Sequence, residues 1–167
     1  MKLYLIRHGP AEDRAASLKD EDRALTPAGR ELVRSVTKLL VEVGEAPLGI
    51  VTSPLVRAVQ TAEIVALITR LNDRGGSVEV RREMEPGGDV AALAWKFASA
   101  GSKRVMLVGH EPELSIASRT VLGKFDRVFD KAMVVAVHLP SEGRETRLRF
   151  VIDPKNLRLD PDARRHG

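Results

Sequence analysis

The chain has 167 residues, of which 27 are Lys or Arg, 23 are Asp or Glu and none is Cys, for a formal net charge of +4. That length suits one domain whose core needs neither disulfide nor structural metal, and the missing cysteines exclude a disulfide framework and a thiol nucleophile. No apolar run approaches the ~20 residues that span a bilayer, and no basic run carries interleaved aromatics, so neither a membrane nor a nucleic acid is an expected partner.

The first strand, Lys2-Leu3-Tyr4-Leu5-Ile6, leaves no room for a cleaved leader ahead of it, and a cytoplasmic protein is expected. It runs straight into Arg7-His8-Gly9, at the carboxyl end of a strand, where α/β proteins place their chemistry. Residues 10–25 are charge-rich and irregular, and a loop of that length in a compact domain more often flanks a site than idles. From Thr26-Pro27 onward, Leu32, Val33, Val36, Leu39, Leu40 and Val43 recur at helical spacing and predict an amphipathic helix over 27–43. Ile50-Val51-Thr52 reads as a short strand, with Ser53 capping and Pro54 entering a helix marked by Leu55, Val59, Ala62 and Ala66; Arg57 falls in its first turn.

Residues 77–80 read as a strand leading to Glu83, Glu85 and the Pro86-Gly87-Gly88 turn, and a third helix follows through Val90, Leu93, Ala94 and Phe97. Val105-Met106-Leu107-Val108 is a continuous apolar run, as in a strand covered on both faces, and it ends at Gly109-His110 before Pro112 opens a helix. Residues 133–137 and 148–152 read as closing strands joined by Pro140-Ser141-Glu142-Gly143, with an irregular tail after Asp153. About six strands alternating with helices predict a three-layer α/β/α domain around a mostly parallel mixed sheet, spanning 1–157 with a tail over 158–167.

On this topology Arg7, His8, Arg57, His110 and one or both glutamates converge on one rim of the sheet. LIRHG, SPLVRAVQTAEI and LVGHEP, in that order and spacing, resemble the histidine phosphatase superfamily, the phosphoglycerate-mutase-like fold. The short length, EPGGDV at 85–90 and Pro154-Lys155-Asn156-Leu157 resemble its small SixA-type phosphohistidine phosphatases, which carry no large cap. The resemblance implies transient phosphorylation of His8, then hydrolysis by water, on a phosphohistidine-containing protein such as a signalling or phosphocarrier domain. A small-molecule phosphomonoesterase and a non-catalytic phosphate-binding module are the alternatives. Retention of His8 disfavours the module, since binding alone needs only the arginines and His110.

Phosphoryl transfer asks mainly for charge neutralisation and positioning, and Arg7 and Arg57 offer paired donors in a fixed fork that lysine lacks. His8 must be neutral, with its second nitrogen tied to a fixed acceptor such as a backbone carbonyl, and neighbouring guanidinium charges favour that form. His110 suits donation to a phosphoryl oxygen. No metal or other cofactor is expected, and phosphate or related oxyanions are the expected pocket ligands. Glu83 resembles in position the acid of mutase-like relatives, although Arg81-Arg82-Glu83-Met84-Glu85 reads equally as a solvent-facing charge cluster. Arg23 resembles the arginine before Leu-Thr of the SixA branch and is either a phosphate or phosphoprotein contact or a surface arginine. His138 and His166 are assigned no role.

Overall fold

The side chains of the first strand divide between two cores, and that division organises the molecule. In a computed structural model, which describes residues 1–15, 18–141 and 145–161, Leu3 and Leu5 of β1 (Lys2–Arg7) enter one apolar cluster, while Tyr4 and Ile6 enter another on the opposite face. Strand alternation sends successive side chains to opposite faces, so a strand covered on both sides must be apolar throughout. β4 (Arg104–Gly109) repeats the pattern, with Val105 and Leu107 in the first cluster and Met106 and Val108 in the second.

Helices α1 (Pro27–Glu42) and α2 (Val56–Ile68) cover one face through Val33, Val36, Leu40, Ala58, Ala62 and Val65. Helices α3 (Val90–Ser99) and α4 (Glu113–Leu122) cover the other through Val90, Leu93, Leu114 and Val121. The expected α/β/α layering is therefore the observed one. Burying each larger aliphatic side chain contributes roughly 1.5–3 kcal/mol before entropy is counted.

With β2 (Gly49–Thr52), β3 (Ser77–Val80), β5 (Val134–His138), β6 (Arg147–Asp153) and β7 (Arg158–Asp160), the sheet has seven strands in the order β3-β2-β4-β1-β5-β6-β7. β3, β2, β4 and β1 are parallel, and β5, β6 and β7 continue antiparallel. The strand beyond the expected six is β7, formed by residues read as the start of a tail; three residues are too short to carry a periodic signal, and they are strand because β6 offers a free edge. Residues 142–144 of the last hairpin and the stretch from 162 onward, with His166, lie outside the described residues. No large cap stands over the sheet among the described residues.

Register places the chemistry. Arg7 lies opposite Gly109 and Thr52 opposite Val108, so β1, β2 and β4 end level and deliver Arg7-His8, Ser53 and His110 to one edge. The turn after β1 is held tightly against α1, whose amino end is capped by Thr26 Oγ1 accepting from Gly29 N at 2.9 Å. A Cβ on Gly29 would overlap the Pro10 carbonyl oxygen, and one on Gly9 would stand 2.6 Å from Val33 Cγ2. Gly29→Ala is therefore expected to push α1 off the His8 turn, costing about 2 kcal/mol of stability and lowering oxyanion affinity together. Thermal unfolding with and without tungstate checks it; an unchanged midpoint would show that the contact gives way freely.

Candidate active site

His8 leaves the end of β1 with its backbone fixed on two sides. Its N–H donates to Gly109 O at 3.1 Å, and its carbonyl accepts from Ala132 N at 3.2 Å. Gly9 N donates to Thr61 Oγ1 at 3.1 Å, and Thr61 in turn donates to Arg57 O at 2.7 Å, coupling the turn to α2. The ring is 2.7 Å from the Gly9 carbonyl through Nδ1. A carbonyl only accepts, so Nδ1 carries the proton and Nε2 presents the lone pair. Here the expected tie to a backbone carbonyl is realised.

Arg57, 4% exposed, donates from Nε to His8 Nε2 at 3.3 Å. Its Nη1 donates to the Asp20 carbonyl at 2.6 Å and its Nη2 to Asp20 Oδ2 at 3.0 Å. On the other side Arg7 Nη1 donates to Phe129 O at 2.7 Å, while Arg7 Nε is buried without a partner. The Phe129 N–H reaches Glu111 Oε1 at 3.2 Å, which steadies the carbonyl that receives Arg7. His110 tilts against His8 with ring centroids 5.2 Å apart; its Nε2 is 2.8 Å from Ser53 Oγ, and its Nδ1 is buried and unpartnered. Ser53 Oγ also accepts from Leu55 N at 3.3 Å, and when its own proton goes to His110 Nε2, His110 Nδ1 is an N–H donor. Buried donors left without partners are costly unless a ligand satisfies them.

Sequence reading placed Ser53 as a helix cap and Pro54 inside the helix. Instead α2 begins at Val56 with Leu55 before it, and Ser53 turns inward to His110. Thr61 and Asp20 were also missed, although the Asp20 to Arg23 spacing on a turn was a usable signal. Of the 10–25 segment, residues 10–15 and 18–25 flank the site as expected, and 16–17 lie outside the described residues. The segment is closed at its base by the Ala11 to Leu25 bridge and by Glu12 N donating to Ala24 O at 2.9 Å, and it carries a 3₁₀ turn at Asp20–Asp22. Arg23 donates to Asp20 Oδ1 from Nε at 3.0 Å and Nη2 at 2.8 Å, which joins it to Arg57 through a shared carboxylate. Glu83, on the 3₁₀ turn Arg82–Met84 after β3, is exposed and makes no hydrogen bond or ion pair among the described residues.

Burial is the main cause that holds His8 at about 3, far below an ordinary histidine. The Gly9 bond opposes the shift, and His110, Arg57 and Arg7 add to it. His110 is held at about 4 by burial first and then by Arg57, with Asp20 opposing. Desolvation thus outweighs the guanidinium charges expected to do this work. An unfolded chain binds a proton at each histidine below about pH 6.5, whereas the folded one does not until about 4 at His110 and about 3 at His8, so stability falls as pH drops from 7 toward 3. Against desolvation, the bonds from Arg23 and Arg57 lower Asp20 to about 2, and it contributes stability that is lost as pH falls from about 4 toward 2. We expect the His8 and His110 ring resonances to stay neutral from pH 7 to 5 while the unfolding midpoint declines; ring titration near 6.5 would contradict this.

The site therefore offers a neutral imidazole lone pair, two guanidinium groups and unpartnered N–H donors on one edge. Among the described residues, no group of three or more His, Asp or Glu side chains is arranged to hold a metal ion, and no helix is long and apolar enough to cross a membrane.

Comparison with known proteins finds likeness in both sequence and fold. The family model of the histidine phosphatase superfamily (branch 1) matches residues 3–81. An uncharacterised protein of a Picosynechococcus strain is 41% identical over 117 residues, 68% of each chain. The structure of the protein histidine phosphatase SixA complexed with tungstate superposes with a TM-score of 0.84 at 27% identity, covering 95% of this chain and all of that one. The alpha-ribazole phosphatase of Shigella flexneri shares the fold at 19% identity and a TM-score of 0.68, covering 92% of this chain and 97% of that one.

Proposed function

The chain belongs to the histidine phosphatase superfamily, and from that premise we propose that it hydrolyses phosphohistidine on a protein, through a transient phospho-His8, without a metal. The observation that carries this reading is the His8 ring, locked by Gly9 with Nε2 turned to the Arg57 guanidinium. In the first step Nε2 attacks phosphorus and the P–N bond to the substrate imidazole breaks, that imidazole leaving with a proton from the site or solvent. Water then attacks the phospho-His8 phosphorus, His8 leaves, and inorganic phosphate departs. Arg7 and Arg57 bind the phosphoryl oxygens and supply the charge stabilisation that dominates such transfers, with His110 donating alongside. Arg23, tied to Arg57 through Asp20 and bonded to the Glu12 carbonyl, is assigned in this reading to contact with the phosphoprotein or its phosphate.

Imidazole is a better leaving group than an alkoxide, so a phosphohistidine substrate needs no strong acid. The exposed, unpartnered Glu83 agrees with that, as does the lack of a large cap over this edge among the described residues. The SixA tungstate complex supports oxyanion binding in this architecture. A second reading, small-molecule phosphomonoesterase, draws on Glu83 lying just beyond the carboxyl end of β3 on the catalytic edge, from where it would protonate a leaving alkoxide.

Parallel assays on a phosphohistidine protein, phosphoserine peptides and phosphorylated metabolites decide between the two. Fastest turnover on phosphohistidine is expected, and faster turnover on a metabolite would favour the second. Protein that binds phosphate but turns over none of these would be a binding module. We also expect full activity in EDTA and inhibition by vanadate, tungstate or phosphate; loss in EDTA restored by zinc or magnesium would overturn the metal-free mechanism.

A further inference from the structure

Arg57 has three kinds of N–H, and the structure divides them sharply. Both terminal nitrogens go to one residue: Nη1 to the Asp20 carbonyl at 2.6 Å and Nη2 to Asp20 Oδ2 at 3.0 Å. Only Nε faces His8. We propose that Asp20 is the positioning residue of the phosphoryl site, gripping Arg57 by carboxylate and backbone carbonyl together so that the Nε edge of the guanidinium is aimed at His8.

A free arginine side chain carries about 2 kcal/mol of rotamer entropy, and its charge is useful only when the planar fork is aimed. Two bonds from one rigid residue define the guanidinium plane. Asp20 begins the 3₁₀ turn Asp20–Asp22, and its carbonyl and carboxylate both reach the same guanidinium. Its second oxygen is anchored separately, accepting from Arg23 Nε at 3.0 Å and Nη2 at 2.8 Å and from Arg14 Nε at 3.1 Å. These bonds hold the carboxylate ionised against its partial desolvation. With Arg57 so held, its Nε stays on the His8 side of the site, next to the buried and unpartnered Arg7 Nε and His110 Nδ1, and these groups face the oxygens of a transferring phosphoryl group. Asp20 thereby keeps its Arg57 bonds while the ligand binds, and acts through Arg57 without touching the phosphoryl group itself.

This inference rests on the reading of the site given above, and the test separates the two. Tungstate affinity is measured by calorimetry for the wild type and for Asp20→Asn, Asp20→Ala, Arg14→Ala and Arg57→Ala, with kcat and KM on whichever phosphorylated substrate the protein turns over. Asn and Ala remove the same negative charge, but only Asn retains an acceptor for Nη2. Positioning therefore predicts Asn within about threefold of wild type and Ala about tenfold weaker, with kcat/KM following affinity. Arg14→Ala, which cuts another bond to Asp20 without touching Arg57, is expected to stay within twofold. Should Asp20→Ala fail to fold, Asp20→Ser is expected to show the same loss. Equal affinities for Asn and Ala, or either tighter than wild type, would make Asp20 a counter-ion and overturn the proposal. Unchanged tungstate binding in Arg57→Ala would instead remove the site reading beneath it.

Discussion

Replacing His8 with alanine is expected to reduce turnover by at least about 10⁴-fold while tungstate affinity changes only a few-fold. The asymmetry follows from the division of labour at the site. His8 contributes a lone pair that is used only when the bond to phosphorus forms, and it is neutral, so its loss removes little attraction for a dianion. The groups that attract the anion, Arg7 and Arg57, are anchored by Phe129 and Asp20, neither of which depends on the His8 ring. The wild type should also form an acid-labile, alkali-stable phosphoryl adduct that the variant lacks. Rapid quenching of labelled substrate reads the adduct and calorimetry reads the affinity. An adduct that persists in His8→Ala would assign the nucleophile elsewhere.

Arg57→Ala is expected to damage binding and turnover together, weakening tungstate by roughly 10²-fold, as when a charge-assisted hydrogen bond is removed from a buried site. Arg57→Lys is expected to recover little. A lysine ammonium holds its donors on one compact nitrogen and cannot bond both acceptors of Asp20 while also facing His8, as the guanidinium does with three separate nitrogens. The alanine variant also leaves Asp20 without one of its cations. Full recovery by lysine would show that charge alone, without the fork geometry, governs binding.

Much of the architecture was legible in advance because its signals are local. The apolar runs at 2–6 and 105–108 announced strands covered on both faces, since an uninterrupted apolar strand has no side on which to meet water. The 3.6-residue recurrence from Leu32 to Val43 marked α1, whose end at Glu42 falls one residue short of the expected limit. Less visible were β7, too short for any period, and the seat of Ser53, whose preference for helix caps is a statistical tendency that the nearby His110 ring overrode.

Sequence by itself determined which chemical groups the chain carries to strand ends: Arg7 and His8 after β1, Arg57 after β2, His110 after β4. Local patterning is sufficient for that, because strands and helices are read from the spacing of apolar residues along a few turns. Only the tertiary structure decided what those groups are. The pairing of β1 with β4 and of β4 with β2 brought His8 and His110 within 5.2 Å. Burial, a property of the whole packed edge, made both histidines neutral. Residues 10–25, which carry no periodicity, supplied Asp20 to Arg57 across 37 positions of sequence. Partners so far apart in the chain are chosen by the closing of the fold, and no spacing rule reaches that far.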